Sequence, residues 1–162
     1  ELQAKLSLTK LPQTIEGFDI SNISGQLAVG SCVHFEQGKP NKNKYRKFKI
    51  KTVKGSNDFA MMREVILRRY EHSEWGIPDL ILVDGGKGQL SFAKQALDKL
   101  KLNIDMISLA KKEEEVFKVG QSKPVVFDKN SEGLKLLQRV RDESHRFAIS
   151  YHKILRKKKI II

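Results

Sequence analysis

The sequence predicts an α/β domain with a mixed five-stranded sheet flanked by helices. The first observation is the order of the segments, because three strand-like segments joined by short links precede alternating helical and strand-like segments. The second is residues 80–83, an unbroken apolar run of the kind found in strands buried on both faces of a sheet. With 162 residues and a hydrophobic fraction of 40%, the chain is long enough to bury one core of this type.

The first part of the chain predicts an antiparallel meander. The three segments with strand character and short links are residues 14–20, 26–36 and 44–53. If Phe48 faces the core, the period of two directs Lys47 and Lys49 outward together. The third strand is therefore expected to present a basic face.

The second part of the chain predicts alternating helices and strands. Gly55, Ser56 and Asn57 provide the start of a helix over residues 58–70. The segments that follow the buried strand are a helix over 89–100, a short strand over 106–109, and an irregular stretch over 116–127 with room for a small hairpin. Asn130 or Ser131 then caps a long final helix that runs toward Lys157.

This order of elements is that of a ribonuclease H-like domain. In such a sheet the first strand lies beside the fourth, so Asp19 and Asp84 become neighbours at the centre. Two adjacent carboxylates repel each other, and a divalent cation with oxygen ligands relieves that repulsion. The alternative interpretation is that Asp84 starts a turn, since aspartate before glycine is common turn chemistry.

The final helix offers a third ligand. His145 lies at the border of the buried stripe, where a side chain reaches over the sheet centre while it stays hydrated. Asp142 points away from that stripe. Glu143 lies on the opposite border, and geometry alone does not exclude it. An inert surface histidine is the alternative interpretation of His145.

Composition limits the class of protein. Cys32 is the single cysteine, which excludes an intrachain disulfide framework and a cysteine zinc cluster and fits a reducing cytoplasm. No apolar run approaches the roughly 20 residues that a membrane span requires. We therefore expect a cytoplasmic protein without a membrane partner.

The charge distribution predicts a polyanionic partner. The formal net charge is +12, and residues 37–57 contain no acidic side chain. Nucleic acid is the simplest such partner, although an acidic membrane surface, an acidic protein or plain solvation gives the same bias. The residues that we expect to contact DNA phosphates are Arg46, Lys47, Lys49, Lys87 and Arg141.

Five segments of the sequence resemble the UvrC family, whose members are the incision subunit of bacterial nucleotide excision repair. They are FDISN (18–22), GKPNKNKYRKFKIKTVKGSNDFAMMREVILRRY (38–70), PDLILVDGGKGQL (78–90), ISLAKKEEEVF (107–117) and LLQRVRDESHRFAISYH (136–152). The resemblance covers nearly the whole chain and corresponds to the carboxyl-terminal, ribonuclease H-like endonuclease domain, which makes the cut on the 5′ side of a lesion. The family's Asp-Asp-His triad falls on Asp19, Asp84 and His145.

The resemblance implies metal-dependent hydrolysis of a DNA phosphodiester, with Mg²⁺ or Mn²⁺ held by that triad. The implied partners are damaged duplex DNA, UvrB and, within the UvrABC system, UvrA. It also implies that residues 1–162 are one domain of a larger protein, flanked by segments at about 1–13 and 157–162. The family's GIY-YIG nuclease domain, UvrB-binding segment and helix-hairpin-helix motifs are not in this sequence. Asp58 occupies a position that often holds an acid in the family, although it also suits the first turn of a helix.

Two other functions stay open at this point. The same fold hosts ribonucleases and junction resolvases, so chemistry alone does not select DNA repair. The other alternative is a non-catalytic nucleic-acid-binding module in which Asp19 and Asp84 are structural. The charged residues 111–115 are expected to form a solvated loop, and a regulatory contact is the alternative interpretation.

Overall fold

The computed structural model describes residues 1–23, 27–51, 57–110 and 115–161. The helices are α1 (Leu2–Leu6), α2 (Asp58–Tyr70), α3 (Lys87–Lys99) and α4 (Glu132–Ile161). The strands are β1 (Thr14–Ile23), β2 (Leu27–Glu36), β3 (Lys39–Pro40), β4 (Arg46–Lys49), β5 (Leu80–Asp84), β6 (Asp105–Leu109) and β7 (Val116–Lys118). None of the helices in these described ranges is both long and apolar enough to cross a membrane.

Within the described residues, the seven strands form one mixed sheet. Its order is β3-β2-β1-β5-β6-β7, and β4 also pairs with β2. The β1–β2 pair is antiparallel, whereas β5 is parallel to both β1 and β6. β1 and β5 therefore run in the same direction at the centre of the sheet, and β5 ends beside the middle of the longer β1.

The predicted fold class is confirmed, and the predicted count of five strands is corrected to seven. The five predicted strands are present, and β3 and β7 are additional strands of two and three residues. The stretch predicted to be irregular contains β7, which pairs antiparallel with β6, and Val116 also forms a bridge with Val125. Strands this short show no period of two, so pattern analysis does not detect them.

Several element boundaries differ from the prediction. β1 continues to Ile23, α3 begins at Lys87, and β4 ends at Lys49. The part of the predicted third strand beyond residue 51, Gly55 and Ser56, and most of the charged loop 111–115 lie outside the described residues. Asn57 caps α2, because its side-chain oxygen accepts a hydrogen bond from the Ala60 N–H at 3.1 Å.

Two apolar layers cover the sheet. On one face α2 and α3 pack against buried side chains that include Phe18 and Val83. On the other face α4 and the unpredicted helix α1 pack against buried side chains that include Ile15 and Leu82. Close approach of α4 requires Gly17, because a Cβ there would lie 2.5 Å from Cγ1 of Val140.

The start of α4 is capped by its own residue and by the first residue of the chain. Ser131 Oγ accepts a hydrogen bond from the Leu134 N–H at 3.1 Å, as expected for a helix N-cap. The Glu1 carboxylate accepts hydrogen bonds from Ser131 Oγ at 2.7 Å and from the Gly133 N–H at 2.8 Å. A carboxylate at the amino-terminal end of a helix interacts favourably with the helix dipole, so these contacts stabilise the start of α4.

The basic strand β4 has the predicted alternation. Phe48 is buried, and its neighbours Lys47 and Lys49 are exposed. Arg46 lies on the same face as Phe48, with its guanidinium 4.4 Å from the centre of the Trp75 ring. The two lysines therefore share the α4 side of the sheet, and Arg46 lies on the α2 side.

Candidate active site

Asp19 and Asp84 lie side by side at the centre of the sheet. The last paired residues of the parallel strands are Phe18 and Val83, and each aspartate is the next residue of its strand. Side chains alternate along a strand, so Asp19 shares the α4 side with Gly17. The topology thus brings together two carboxylates that are 65 residues apart in sequence.

Gly85 makes the turn that follows Asp84. Its φ of +130° is strained for any residue with a side chain, and a Cβ there would lie 2.5 Å from Cγ of Gln89. The chain therefore turns sharply into α3 and brings its first turn back beside the two carboxylates. Gly86 precedes the helix and provides no side-chain cap.

His145 reaches Asp19 from α4. Its Nδ1 lies 3.0 Å from Oδ2 of Asp19, and its side chain is 46% exposed while that of Asp19 is only 8% exposed. The preceding turn is fixed by Ser31, whose buried Oγ donates a hydrogen bond to the carbonyl of Ser144 at 2.9 Å. This contact between β2 and α4 sets the position from which the imidazole extends.

The acidic neighbours of His145 are engaged elsewhere. Glu143 accepts a hydrogen bond from the Tyr45 hydroxyl at 2.7 Å and is held by Arg146 at 2.6 Å. These contacts hold the pKa of Glu143 below its ordinary value, chiefly through the hydrogen bond from Arg146. Asp142 has a 70% exposed side chain and pairs with Arg141. Neither acid lines the cleft that contains His145.

The two aspartates and His145 line one cleft of about 460 Å³. The full lining is Asp19, Ile20, Asp58, Asp84, Gly85, Gly86, Gln89, Ala110 and His145. Asp58 enters from the first turn of α2, so its position suits both the helix dipole and the cleft. Gln89 enters from the first turn of α3, and its buried Oε1 has no hydrogen-bond partner among the described residues. Sequence analysis singled out Asp58 but missed Gln89, whose only signal was its place shortly after Asp84.

The donor set fits a divalent cation. Carboxylate oxygens are the ligands that Mg²⁺ and Mn²⁺ prefer, and an imidazole suits Mn²⁺. As the side chains stand, the described residues contain no group of three His, Cys, Asp or Glu that could hold an ion. The Asp19–His145 pair has a suitable spacing, because two adjacent ligands about 2.1 Å from an octahedral ion are roughly 3 Å apart.

The basic residues that were predicted to contact DNA differ in their position relative to the cleft and in their exposure. Ser31 lies opposite both Asp19 and Lys47 in the register, so the three form a row on one face. Two strand spacings put Lys47 roughly 10 Å from Asp19. Lys87 is exposed at the start of α3. Arg141 differs, because its side chain is only 13% exposed and its guanidinium lies 3.1 Å from Asp142.

A family model for the UvrC RNase H endonuclease domain matches residues 3–149. The chain belongs to the UvrC RNase H endonuclease domain family. UvrABC system protein C of Methanosarcina acetivorans is 50% identical over 163 residues, which cover 99% of this chain and 32% of that protein. The same protein of Dehalococcoides mccartyi is 54% identical over 167 residues, which cover 98% of this chain and 28% of that protein. The chain thus spans about a third of the length of the curated relatives it matches.

A solved structure supports the fold of the UvrC domain. Endonuclease V of Ciona intestinalis, crystallised with inosine-containing DNA, matches with a TM-score of 0.56 and 12% identity. The match covers 94% of this chain and 95% of that chain. At this identity the likeness shows a shared ribonuclease H-like fold alone. The UvrC family membership identifies the chain as an endonuclease domain.

Proposed function

We propose that this domain is the metal-dependent endonuclease that makes the 5′ incision beside a lesion in nucleotide excision repair, as part of the UvrABC system. The observation that carries the proposal is the position of Asp19 and Asp84 at the meeting point of two parallel strands, with His145 3.0 Å from Asp19. The carboxyl edge of a central strand is where α/β sheets bind their ligands. UvrC family membership favours this function over a ribonuclease, a junction resolvase or a non-catalytic module.

Asp19, Asp84 and His145 would hold the cation, with Asp19 central because it adjoins both of the others. Bound Mg²⁺ or Mn²⁺ would activate water for attack and offset the negative charge of the scissile phosphate. Three aspartates line the cleft, so its negative charge disfavours a phosphate unless a cation is present. Metal and DNA are therefore expected to bind cooperatively.

His145 has two roles in this scheme. Without a cation, its Nδ1–H can donate the hydrogen bond to Oδ2 of Asp19 and keep the two groups together. To serve as a ligand through Nδ1, the neutral imidazole must carry its proton on Nε2. The 46% exposure of the side chain gives that proton access to solvent.

The proposed DNA contacts begin with the exposed lysines. Lys47 and Lys49 share the face on which Asp19 lies, and Lys87 is the first residue of α3, three residues after Asp84. Phosphate contacts of this kind position the duplex without reading its sequence. Arg46 and Arg141 are weaker candidates, because Trp75 and Asp142 already engage their guanidinium groups. UvrB and UvrA enter as proposed partners through the UvrABC system named for the relatives.

Asp84→Ala in the full-length protein tests this function. The substrate is a lesion-bearing duplex already nicked on the 3′ side, so that only the 5′ cut is scored. We expect incision to fall by about 10³-fold or more, since the metal supplies several kcal/mol of transition-state stabilisation. Asp142→Ala is the matched control, and it should retain incision. Substantial incision by the Asp84 variant, or incision that is indifferent to Mg²⁺ and Mn²⁺, would contradict the proposal.

A further inference from the structure

A second concave surface lies between α3 and β7. It is a groove of about 430 Å³ that is open to solvent along its length. One wall is a single face of α3, and the other is the end of β7 with the turn that follows it. The lining residues that matter for its chemistry are Lys87, Lys94, Lys118, Ser91, Gln95 and Ser122.

The groove has the composition of a phosphate-binding surface. Its charged lining consists of three lysines and one acid, Asp98, which pairs with Lys94 at 3.0 Å. Ser91, Gln95, Gln121 and Ser122 add hydroxyl and amide groups, whereas apolar atoms, including those of Leu90 and Val119, make up most of the exposed lining. Such a surface combines positive charge with hydrogen-bond donors, and it has no aromatic platform for unpaired bases. The excess of positive charge favours a sugar-phosphate backbone over an uncharged peptide.

The groove continues directly from the candidate active site. Gly86 and Gln89 line the cleft, whereas Lys87 and Leu90 line the groove. These four residues belong to the Gly86 cap and first turn of α3, so one helical turn separates the two concave surfaces. A chain of phosphates leaving the cleft on this side meets the groove next.

The exposed β4 lysines, Lys47 and Lys49, lie on the opposite side of the cleft from the groove. The strands lie in the order β4-β2-β1-β5-β6-β7, and the cleft lies between β1 and β5. Five strand spacings of about 4.8 Å separate β4 from β7, which is roughly 24 Å. At about 3.4 Å per nucleotide, this distance corresponds to roughly seven nucleotides of one strand.

We propose that the α3–β7 groove binds the backbone of the cleaved DNA strand beyond the scissile phosphate. The strand then crosses the carboxyl edge of the sheet from the β4 lysines, over the Asp19–Asp84 cleft, and into the groove. This inference rests on the proposed function and adds to it the path of the substrate. Lys94 and Lys118 become DNA contacts, and Lys87 marks the boundary between cleft and groove.

The test combines Lys94→Glu and Lys118→Glu in full-length protein that also carries Asp84→Asn, so that bound DNA is not cut. The control combines Lys99→Glu and Lys129→Glu, two exposed lysines outside the groove lining, which change the net charge equally. Binding to nicked, lesion-bearing duplex is measured across a salt series. Because the groove variant can no longer neutralise two phosphates, its log–log salt slope should be shallower by about two units than that of the control.

Phosphate ethylation interference locates the DNA path. In the parent protein, interference should occur on both sides of the scissile phosphate, and the groove variant should lose it on one side only. Equal slopes for groove and control variants, or unchanged interference on both sides, would overturn the groove assignment. Normal DNA binding, together with a loss of UvrB-dependent incision when the two groove substitutions are made with Asp84 intact, would also overturn it, because the occupant would then be a protein. Incision by the Asp84→Ala variant tests the nuclease function separately, so the two failures are distinguishable.

Discussion

Two buried carboxylates on β1 differ in how their charge is balanced. Glu16 and Asp19 are three residues apart, on opposite faces of the sheet, with 1% and 5% of their surface exposed. The Glu16 carboxylate accepts two hydrogen bonds from Arg69 and one from the Tyr70 hydroxyl at 2.8 Å, and Nδ1 of His34 lies 2.8 Å away. For the Asp19 side chain, the contact with His145 is the one hydrogen bond formed within the described residues.

The pKa of Glu16 reflects this compensation. Burial alone raises the pKa of Glu16, but the hydrogen bond from His34, together with the charge and hydrogen bonds of Arg69, outweighs burial and leaves it below the ordinary value. Burial lowers the pKa of Arg69, but the negative charge of Glu16 and its hydrogen bonds outweigh burial. The pKa of Arg69 therefore lies above its ordinary value. The protein thus supplies its own counter-charge at Glu16.

The comparison separates two uses of a buried acid. At Glu16 the positive partner is part of the chain, so the site is complete and structural. At Asp19 the fold adds a second carboxylate, Asp84, and no guanidinium from the described residues bonds to Asp19. Two neighbouring carboxylates are the arrangement expected of metal ligands.

Asp19→Asn should have the largest effect on activity. We expect 5′ incision to fall by about 10³-fold or more, because the central ligand is lost. The thermal midpoint should stay the same or rise, since the repulsion between two carboxylates is removed. Incision of a pre-nicked duplex and thermal unfolding measure the two effects. A large loss of stability with activity retained in the folded fraction would make Asp19 a structural residue like Glu16.

Glu16→Gln should have the opposite profile. Removing one charge leaves the Arg69 guanidinium buried without its partner, which costs about 3–5 kcal/mol of unfolding free energy. Urea unfolding measures this loss, and incision per folded molecule should be unchanged. Glu132→Gln is the control, because its pair with Lys135 is exposed and should contribute less than about 1 kcal/mol.

The pH dependence provides a second readout for Glu16. Its pKa in the folded protein is lowered, so its contribution to stability is complete above the ordinary glutamate pKa of about 4.3. That contribution is lost as the pH falls through the lower, folded-state pKa. The stability difference between wild type and Glu16→Gln should therefore narrow below about pH 4. A constant difference down to pH 2 would show that Glu16 is not held ionised.

His145→Ala should lose incision about 10²-fold, whereas Glu143→Gln should lose far less. His145 lines the cleft, and Glu143 is held by Tyr45 and Arg146 on the opposite border of α4. His145→Asp should shift the preference from Mn²⁺ toward Mg²⁺, because it replaces a nitrogen donor with a harder oxygen. Metal titrations of incision measure both. Equal losses at positions 143 and 145 would mean that the helix as a whole, rather than a ligand, is required.

The smallest effect is expected from Lys47→Glu combined with Lys49→Glu. Lys44, which precedes β4, forms an ion pair with Glu36 at 3.2 Å. DNA affinity should fall similarly for all sequences, and the salt slope should become shallower by about two units. Anisotropy titrations across a salt series measure this. Lys44→Glu is the comparison variant, and an equal change there would place the DNA along the whole β4 edge rather than over the cleft.

Local signals predicted part of this site, and tertiary contacts supplied the remainder. The apolar run before Asp84 predicted β5, and the Asn57 cap predicted the start of α2. Both predictions succeeded because each signal lies within a few residues of its element. The sequence pattern alone left His145 and Glu143 open, and the resemblance to the UvrC family favoured His145. The contact between Glu143 and Tyr45, 98 residues earlier, forms only in the folded chain. The Glu16 network was missed for the same reason, since its partners come from β2 and α2.

Gly17 influences the geometry of the candidate active site without being part of it. Because Gly17 has no Cβ, the Val140 side chain packs directly against it, and this contact sets how closely α4 lies on β1. Asp19 follows Gly17 by two residues, and His145 follows Val140 by five, so the same contact sets the gap between the two candidate ligands. A single added carbon at position 17 would lift the helix and widen that gap while touching neither ligand. The spacing of the two candidate ligands is thus set in part by a residue that has no side chain and does not line the cleft.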